Sequence, residues 1–295
     1  MQIVLLNGGL ANQAFQYMFG MRLQKTLGET VIFDDSYFDS IEKARPHSNH
    51  ANSQRRLLKK VFGIEVLELS SFFTKDDWDN MLNKCYQEKI SMIRLMNSHR
   101  KFQMIAETGD HNFDGEISSF QNEGLIFKNY LNKDIYWHGY WIGKDNFESL
   151  DFRDIFKFRQ INEQHNIHYM ASINQSYSVG IHVRRFSLEG FQWDLPVEWY
   201  SFAINEMKKN YTELLFHIFS DDIAWCKENI FNMGFSSEDN ILFIEGNEEE
   251  NLNYRDMQLM KECKHLIISN SSFSYLAALL NKRSGIKLNP TNRRL

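Results

Sequence analysis

The sequence predicts an α/β protein built around parallel sheets, and three observations support this prediction. The chain begins with an apolar run, a glycine-containing turn, a helical pattern and a second apolar run, which is the order of a βαβ unit. From Ser178 onward, short apolar runs alternate with amphipathic segments, a pattern typical of parallel sheets with right-handed crossovers. The chain has 295 residues, 43% of them hydrophobic and only 3 of them proline, which suits one large or two medium domains.

The first strand is predicted over 3–6, where four apolar residues follow one another. The helix after it has apolar residues at 15, 18, 19 and 23 and a suitable stop at Gly28. A second strand is predicted over 31–33. Gly8 and Gly9, between the first strand and the helix, allow the backbone to approach a ligand closely, but the third glycine of the dinucleotide fingerprint is missing. The alternative interpretation is a simple tight turn.

The middle of the chain, from about residue 40 to 115, has weaker patterns. The segment 78–95 is predicted to be helical, and 135–141 is predicted to be a strand rich in aromatic residues. Because flat rings pack well on the C–H faces of sugars, this strand lines a sugar site or belongs to an aromatic core. A further helix is predicted over 162–174. We place the domain boundary near residue 175, which gives domains 1–175 and 176–295.

The C-terminal half is predicted to contain five strands and four helices. The strands are predicted at 178–183, 214–219, 241–244, 265–269 and 286–288. The helices are predicted at about 196–209, 222–230, 251–263 and 272–280, and Asp194 and Pro196 form a reasonable start for the first of them.

Polar residues follow three of these strands, and ligands of open α/β sheets bind beyond the carboxyl ends of strands. At the first such end, His182 and Arg184 are expected to point to one side and Arg185 to the other. Arginine offers a fork of donors with a permanent charge, which suits a diphosphate. The alternative is a satisfied core histidine beside two surface arginines.

The other two strand ends carry Ser220-Asp221-Asp222 and 269–272, a Ser-Asn-Ser-Ser cluster. A carboxylate at the former accepts hydrogen bonds from a guanine edge, binds a metal or caps the next helix. A metal site needs more acidic partners than the sequence places nearby. At 269–272 a helix start with hydroxyl residues predicts either an anion site or an ordinary N-cap.

The composition excludes some function classes. The net charge of -5 and the pI near 6.1 give no electrostatic footprint for nucleic acid. Cys85, Cys226 and Cys263 are far apart and odd in number, which indicates a reducing compartment and no zinc motif. We expect no targeting segment and no membrane span, since no apolar run is long enough, and therefore a cytoplasmic location.

Five ordered segments carry a family resemblance. They are 8–17, 138–141, 182–185, 219–226 and 256–281. The last is the most specific, because it reads Asn270-Ser271-Ser272-Phe273-Ser274 followed by an aromatic residue, alanines and a Leu-Asn pair. In these segments the chain resembles the bacterial α-1,2-fucosyltransferases, glycosyltransferase family 11. The match is weaker between 40 and 130.

The resemblance implies a GT-B type fold, with two Rossmann-like domains whose parallel sheets face a cleft. It implies that 1–175 is the acceptor-side domain and that 176–295 binds the GDP-sugar. It also implies GDP-fucose as donor substrate, with no cofactor and no required metal.

The resemblance also implies roles for individual residues. Arg184 would lie on the β-phosphate, Asp222 would face guanine, and Asn12 would approach the reaction centre from the other domain. Arg184, Asn12 and Glu189 are the expected catalytic residues, Glu189 being a candidate base by position, as is Asp194. The expected donor-binding residues are Gly8, Gly9, His182, Arg184, Asp222, Ser271, Ser272 and Phe273.

One departure from the family pattern lies just after the two arginines. The family usually continues with Gly-Asp, whereas this chain has Phe186-Ser187, and the next acids are Glu189 and Asp194. One of these two acids substitutes for the missing carboxylate, or the carboxylate is dispensable, or the protein is impaired.

The expected function is an inverting transfer of fucose from GDP-fucose to O2 of a terminal galactose in a glycan, the activity of a galactoside 2-alpha-L-fucosyltransferase. The alternatives are another GDP-sugar or acceptor hydroxyl, a GDP-sugar-binding protein without transferase activity, and a sugar-nucleotide hydrolase. The expected partners are GDP-fucose and a galactose-containing acceptor, with no nucleic acid. Peripheral contact with an inner membrane stays open.

Overall fold

The computed structural model describes residues 1–44, 56–98, 101–107, 126–147, 149–248 and 252–290. These residues form two compact α/β units, of which the first contains the described residues up to Lys157 and the second begins at Phe158. The second unit begins ahead of the predicted boundary near 175, because the helix at 164–175 packs on the strand at 177–183 and on the helix at 254–260. The assignment of acceptor and donor to the two domains stays a prediction.

The described part of the first unit contains four strands and four α-helices. The strands are β1 (Gln2–Leu5), β2 (Val31–Asp34), β3 (Gln103–Ala106) and β4 (Ile135–His138). The α-helices are α1 (Leu10–Leu27), α2 (Ser36–Ala44), α3 (Lys75–Glu88) and α4 (Met92–Met96). Shorter helical turns cover Leu58–Phe62, Leu69–Phe72, Phe127–Tyr130 and Lys144–Asn146.

The first sheet has the order β2-β1-β4-β3, and its described pairs are all parallel. The predicted opening is therefore confirmed, with α1 ending at Gly28 in the left-handed conformation. The predicted helix over 78–95 is two helices, because Lys89 adopts a φ of 53° and ends the first of them.

The aromatic strand belongs to the core of this unit. Trp137 and Trp141 are fully buried, and Phe19 stacks on Trp141 at 3.9 Å between ring centroids. The predicted strand over 135–141 ends early at His138, because the chain turns at Gly139 and Trp141 has a φ of 58°. The structure thus favours the core interpretation of these rings over a sugar-lining strand.

The described part of the second unit contains five strands and five α-helices. The strands are β5 (Tyr177–Val183), β6 (Leu214–Ser220), β7 (Asn240–Phe243), β8 (His265–Ile267) and β9 (Lys287–Leu288). The helices are α5 (Gln164–Gln175), α6 (Val197–Asn210), α7 (Ile223–Glu228), α8 (Tyr254–Met260) and α9 (Ser272–Leu280). A 3₁₀ turn covers Phe186–Glu189.

The second sheet has the order β7-β6-β5-β8-β9, again with parallel pairs. Val183 pairs with Ser220 of β6, and Ile181 pairs with Ile267 of β8. The predicted strands and the α/β class are confirmed. The predicted helix over 251–263 corresponds to α8, which is shorter. Its expected first residue, Asn251, lies outside the described residues.

Gly180 lies in the middle of β5, where an added side chain would be crowded by its neighbours. A Cβ atom there would lie 3.0 Å from Cys263 Sγ and 3.0 Å from Leu266 Cδ2, and these side chains are fully buried. Close packing of this kind fixes the position of β5, because a packed interior relaxes only partly.

We therefore expect Gly180→Ala to lower the free energy of unfolding by about 1–3 kcal/mol through overpacking. Urea denaturation measures this change. The double variant Gly180→Ala with Cys263→Ala should recover part of the loss, because it removes one of the two crowding atoms. Independent, additive losses in the double variant would contradict this account.

Candidate functional site

The carboxyl edge of the second sheet brings together the ends of β5, β6 and β8. Because β5 lies between the other two strands, residues that follow Val183 are within reach of both neighbours. The sequence-predicted groups at 182–185, 220–222 and 269–272 therefore lie along one edge, as expected for a ligand site in an open α/β sheet.

His182 is buried, with 6% of its surface exposed. Its Nδ1 lies 2.8 Å from Ser269 Oγ, and its ring stacks on Phe273 at 5.5 Å between centroids. Burial, and then the nearby Arg184, lower the pKa of His182 to about 3. The imidazole is therefore neutral at physiological pH and connects β5 to the segment that begins α9.

The Arg184 guanidinium is held by two carboxylates. Its Nη1 donates to Asp221 Oδ2 and its Nη2 donates to Glu189 Oε1. The Phe186 ring lies beside the guanidinium, with 4.9 Å between Arg184 Cζ and the ring centroid. The arginine predicted to bind phosphate thus lies at the sheet edge with a defined orientation.

Arg185 points elsewhere, as the alternation of a strand predicts. Its Nη1 lies 3.1 Å from Asp194 Oδ2, and its guanidinium lies 4.1 Å from the centre of a Trp225 ring. Asp194 also accepts hydrogen bonds from Ser187 N at 2.9 Å and from Ser187 Oγ at 2.6 Å. Asp194 therefore joins the turn at Ser187 to Arg185 at the end of β5.

Two predicted binding residues act as helix caps. Asp222 Oδ1 accepts a hydrogen bond from Trp225 N at 3.0 Å, and Ser271 Oγ accepts one from Phe273 N at 3.3 Å. Capping is a common use of Asp and Ser at these positions. Asp222 Oδ2 lies 3.9 Å from Arg185 Nε, and Ser272 begins α9. Contacts of these residues with guanine or phosphate stay predictions.

The carboxyl edge of the first sheet is organised by a glutamine. Gln16 Oε1 accepts a hydrogen bond from Asn7 N at 3.0 Å, while Gln16 Nε2 donates to Asn7 Oδ1 at 2.5 Å and to Gly139 O at 3.0 Å. Gln13 Nε2 donates to Gly8 O at 2.8 Å. The loop after β1 and the turn after β4 are thereby joined through α1.

Gly8 and Asn12 are close neighbours within this loop. Gly8 has a φ of 71°, which only glycine adopts without strain. A Cβ atom at Gly8 would lie 2.5 Å from Asn12 Nδ2. Gly9 is the N-cap residue of α1. Two features therefore favour glycine at position 8: its left-handed backbone conformation and the Asn12 side chain, which occupies the space of a Cβ atom.

Glu107, which the sequence did not single out, lies directly after β3. It is 4% exposed, and its Oε2 accepts hydrogen bonds from Tyr140 N at 2.8 Å and Trp141 N at 3.0 Å. Its Oε1 is buried without a partner among the described residues. Burial raises the pKa of Glu107 to about 7, against the lowering effect of the backbone N–H groups.

Within the described ranges, no group of three or more His, Cys, Asp and Glu side chains is arranged to hold a metal ion. The same residues include no helix with the length and apolar character needed to cross a membrane. Cys85, Cys226 and Cys263 are buried free thiols.

The structure adds partners that the sequence did not predict. Asp221 binds Arg184 and accepts a hydrogen bond from Arg185 N at 2.9 Å, and Ser269 binds His182. The parallel register is the signal that identifies Asp221, because Arg184 and Asp221 each follow a member of the Val183–Ser220 pair. Glu107 and Gly139 likewise each follow a member of the Ala106–His138 pair, but no strand was predicted at β3, so this register was not available to identify Glu107.

Comparison with known proteins gives one family and several relatives. The model of "Glycosyl transferase family 11" matches residues 1–294. The chain is similar to an alpha-1,2-colitosyltransferase of Escherichia coli, with 28% identity over 98% of this chain and 91% of that protein. It is also similar to the O-antigen biosynthesis glycosyltransferase WbnK of Escherichia coli, with 26% identity over 94% of this chain and 89% of that protein.

Among solved structures, fucosyltransferase NodZ from Bradyrhizobium aligns with a TM-score of 0.53, covering 99% of this chain and 96% of that chain at 15% identity. A likeness at this identity shows the fold, and the fold is of the GT-B type, as predicted. A NodZ alpha-1,6-fucosyltransferase soaked with GDP-fucose aligns with a TM-score of 0.52 at 15% identity, over 99% of this chain and 96% of that chain.

The loop geometry predicts different costs for two glycine substitutions with the same backbone conformation. Gly8 and Gly28 have φ values of 71° and 70°, but only Gly8 has atoms within 4 Å of the added Cβ. Gly28→Ala should cost about 1–2 kcal/mol from its φ. Gly8→Ala should cost about 1–3 kcal/mol more, because Asn12 must move. Chemical denaturation compares them, and equal losses would contradict the crowding argument.

Burial of Glu107 predicts a pH-dependent stability. Its folded pKa of about 7 exceeds the unfolded value of about 4.3, so the folded state keeps a proton that the unfolded chain loses. The contribution of Glu107 to stability is therefore full below about pH 4.3 and is lost as the pH rises through 7.

Glu107→Gln cannot ionise, so its stability relative to the native protein should increase from pH 5 to pH 8, by on the order of 1–3 kcal/mol. Urea denaturation at both pH values measures this. The exposed control Glu65→Gln should show no such gain, because Lys59 lowers the pKa of Glu65. An unchanged stability difference for Glu107→Gln at the two pH values would count against the burial argument.

Proposed function

Because the chain belongs to glycosyl transferase family 11, we propose that it transfers fucose from GDP-fucose to O2 of a terminal galactose in a glycan. The observation that carries this proposal is the edge of the second sheet, where Arg184 pairs with Asp221 and His182 contacts Ser269 and Phe273 at the start of α9. An arginine fork and helix N–H groups are donors suited to a diphosphate.

In the proposed reaction, the acceptor hydroxyl attacks the anomeric carbon of fucose, the bond from that carbon to the phosphate oxygen breaks, and GDP leaves with the bonding electron pair. The hydroxyl proton passes to a base or to solvent. Negative charge develops on the β-phosphate as the bond breaks, so donors fixed in advance lower the barrier. Arg184 would supply the charge, and the first N–H groups of α9 would supply further donors.

The neutral state of His182 fits this role. Since the pKa of His182 is about 3, the imidazole would contribute position and hydrogen bonding to the donor site but no positive charge. The permanent charge of Arg184 is then the principal electrostatic contribution of β5.

The candidates for the acceptor base have different surroundings. Asp194 is engaged by Ser187 and Arg185, and this arrangement favours a structural role. Glu189 lies on the exposed turn and pairs with Arg184. We keep Glu189 as the proposed base and Asn12 as a residue that would contact the reacting sugars.

The relatives support a donor of the GDP-fucose type, and experiment must identify the transferred sugar. One relative is named a colitosyltransferase with α-1,2 specificity, and a neighbouring structure is that of an alpha-1,6-fucosyltransferase soaked with GDP-fucose. The α-1,2 linkage of the former supports transfer to an O2 hydroxyl. The same relative favours colitose as the second candidate for the transferred sugar.

The remaining alternatives differ in their products. A GDP-sugar-binding protein would bind GDP-fucose without releasing GDP, and a hydrolase would release free fucose equally fast without acceptor. We propose that the transfer proceeds without a metal or another cofactor, with Arg184 as the principal cation. The proposed location is cytoplasmic, with peripheral contact to the inner membrane if the acceptor is lipid-linked.

Arg184→Ala should abolish most acceptor-stimulated GDP release from GDP-fucose. Loss of one preorganised donor costs roughly 3–4 kcal/mol of barrier, or about 10²- to 10³-fold in kcat. The assay uses lactose as acceptor, and the linkage of the product is determined by NMR. Arg184→Lys should recover only part of the rate, because lysine keeps the charge but loses the fork.

Arg283→Ala is a suitable control, since this arginine lies between α9 and β9, at the opposite edge of the sheet. It should keep native activity. Native protein that binds GDP but transfers neither fucose nor colitose to any galactoside would rule out the proposed reaction, and native protein that does not bind GDP would rule out the donor site.

A further inference from the structure

The charges at the edge of the second sheet pose a problem for a diphosphate ligand. Two guanidinium groups and four carboxylates are connected there by ion pairs. The residues are Arg184, Arg185, Glu189, Asp194, Asp221 and Asp222. With His182 neutral, this cluster has more negative than positive charge. A diphosphate added to the arrangement as it stands would meet like charges, which disfavour binding.

One of the two carboxylates on Arg184, that of Asp221, also accepts a hydrogen bond from the backbone at the end of β5. Asp221 directly follows β6 and is fixed from two directions, because its Oδ2 accepts from Arg184 Nη1 and its Oδ1 accepts from Arg185 N at 2.9 Å. Movement of Asp221 would break a hydrogen bond to the backbone of the neighbouring strand end. Asp221 is therefore the carboxylate that orients the guanidinium.

Glu189 lies on the 3₁₀ turn at Phe186–Glu189, next to Gly190 with a φ of 86°. The turn is closed by its own backbone, with Gly190 N donating to Ser187 O at 3.0 Å and Phe191 N donating to Phe186 O at 3.1 Å. The Glu189 carboxylate can therefore move by rotation about its side-chain bonds while the backbone of the turn keeps these hydrogen bonds.

We propose that Glu189 occupies the position of the donor's terminal phosphate in the ligand-free protein, and that the two anions exchange on Arg184 Nη2 when the nucleotide binds. The inference rests on the proposed function, because it takes a nucleoside diphosphate as the ligand. Arg184 Nη1 stays on Asp221 throughout, so the guanidinium keeps its orientation while its second donor group changes partner.

The exchange has a consequence for affinity. Part of the attraction between phosphate and Arg184 is used to displace Glu189, so the native protein binds GDP more weakly than the same site would without that carboxylate. The ion pair is partly exposed, with 23% of the Arg184 side chain and 29% of the Glu189 side chain accessible. Exposed pairs are weak, and the expected penalty is correspondingly small.

The test compares two substitutions on the same guanidinium by isothermal titration with GDP. Glu189→Gln removes the competing charge and should lower the Kd about 2- to 5-fold. Asp221→Ala removes the anchor and should raise the Kd at least about 3-fold. An unchanged or higher Kd in Glu189→Gln would overturn the proposal, because Glu189 would then be an anchor or irrelevant to binding.

GMP serves as the matched ligand, because it lacks the second phosphate. The Kd for GMP should change less than 2-fold in Glu189→Gln, and equal tightening for GMP and GDP would overturn the assignment to the terminal phosphate. The control Glu198→Gln removes an exposed carboxylate from the first turn of α6 and should leave the Kd for GDP unchanged.

Thermal melting establishes that each variant is folded, and Glu189→Asp, whose shorter side chain withdraws the carboxylate, should also tighten GDP binding if Glu189→Gln does not fold. Failure of the proposal is distinguishable from failure of the proposed function. The proposed function fails if the native protein does not bind GDP, whereas the exchange fails if native protein binds GDP and Glu189→Gln does not tighten it.

Discussion

The central place of β5 in the second sheet is the constraint on which the candidate site depends. With β6 on one side and β8 on the other, the residues at the end of β5 meet two strand ends at once. His182 contacts Ser269 beyond β8, and Arg184 contacts Asp221 beyond β6. A shift of one residue in register would turn each side chain to the opposite face, so the packing that fixes β5 also fixes the chemistry at its end.

Burial determines which groups at this edge carry charge. His182 is desolvated and neutral, while Arg184 keeps its charge and is balanced by carboxylates. A catalytic cation is most effective when its orientation requires no rearrangement during the reaction. Asp221 satisfies that condition for one side of the guanidinium. The other side is held by a residue on an exposed turn, so the cation is oriented by one anion and occupied by another.

Most strands, most helices and the α/β class follow from the pattern of apolar residues, because burial selects which positions are apolar. β3 and α2 were not predicted. The family resemblance predicted Arg184 and His182 as donor-binding residues. The partners Asp221, Ser269 and Glu107 did not follow, since they depend on register between strands distant in sequence. The left-handed conformations of Lys89 and Trp141 were also not predicted, because neither residue type favours that conformation.

The Phe186-Ser187 departure is best understood from the contacts of the turn. Ser187 binds Asp194 through both its backbone N–H and its hydroxyl, and Asp194 in turn pairs with Arg185. A carboxylate is thus present beside the second arginine, although it comes from seven residues further along the chain. Phe186 places its ring against Arg184, where a glycine would leave the guanidinium more solvated. Of the explanations that the sequence left open, substitution by Asp194 is the one that this geometry favours, and it leaves Glu189 available to bind Arg184.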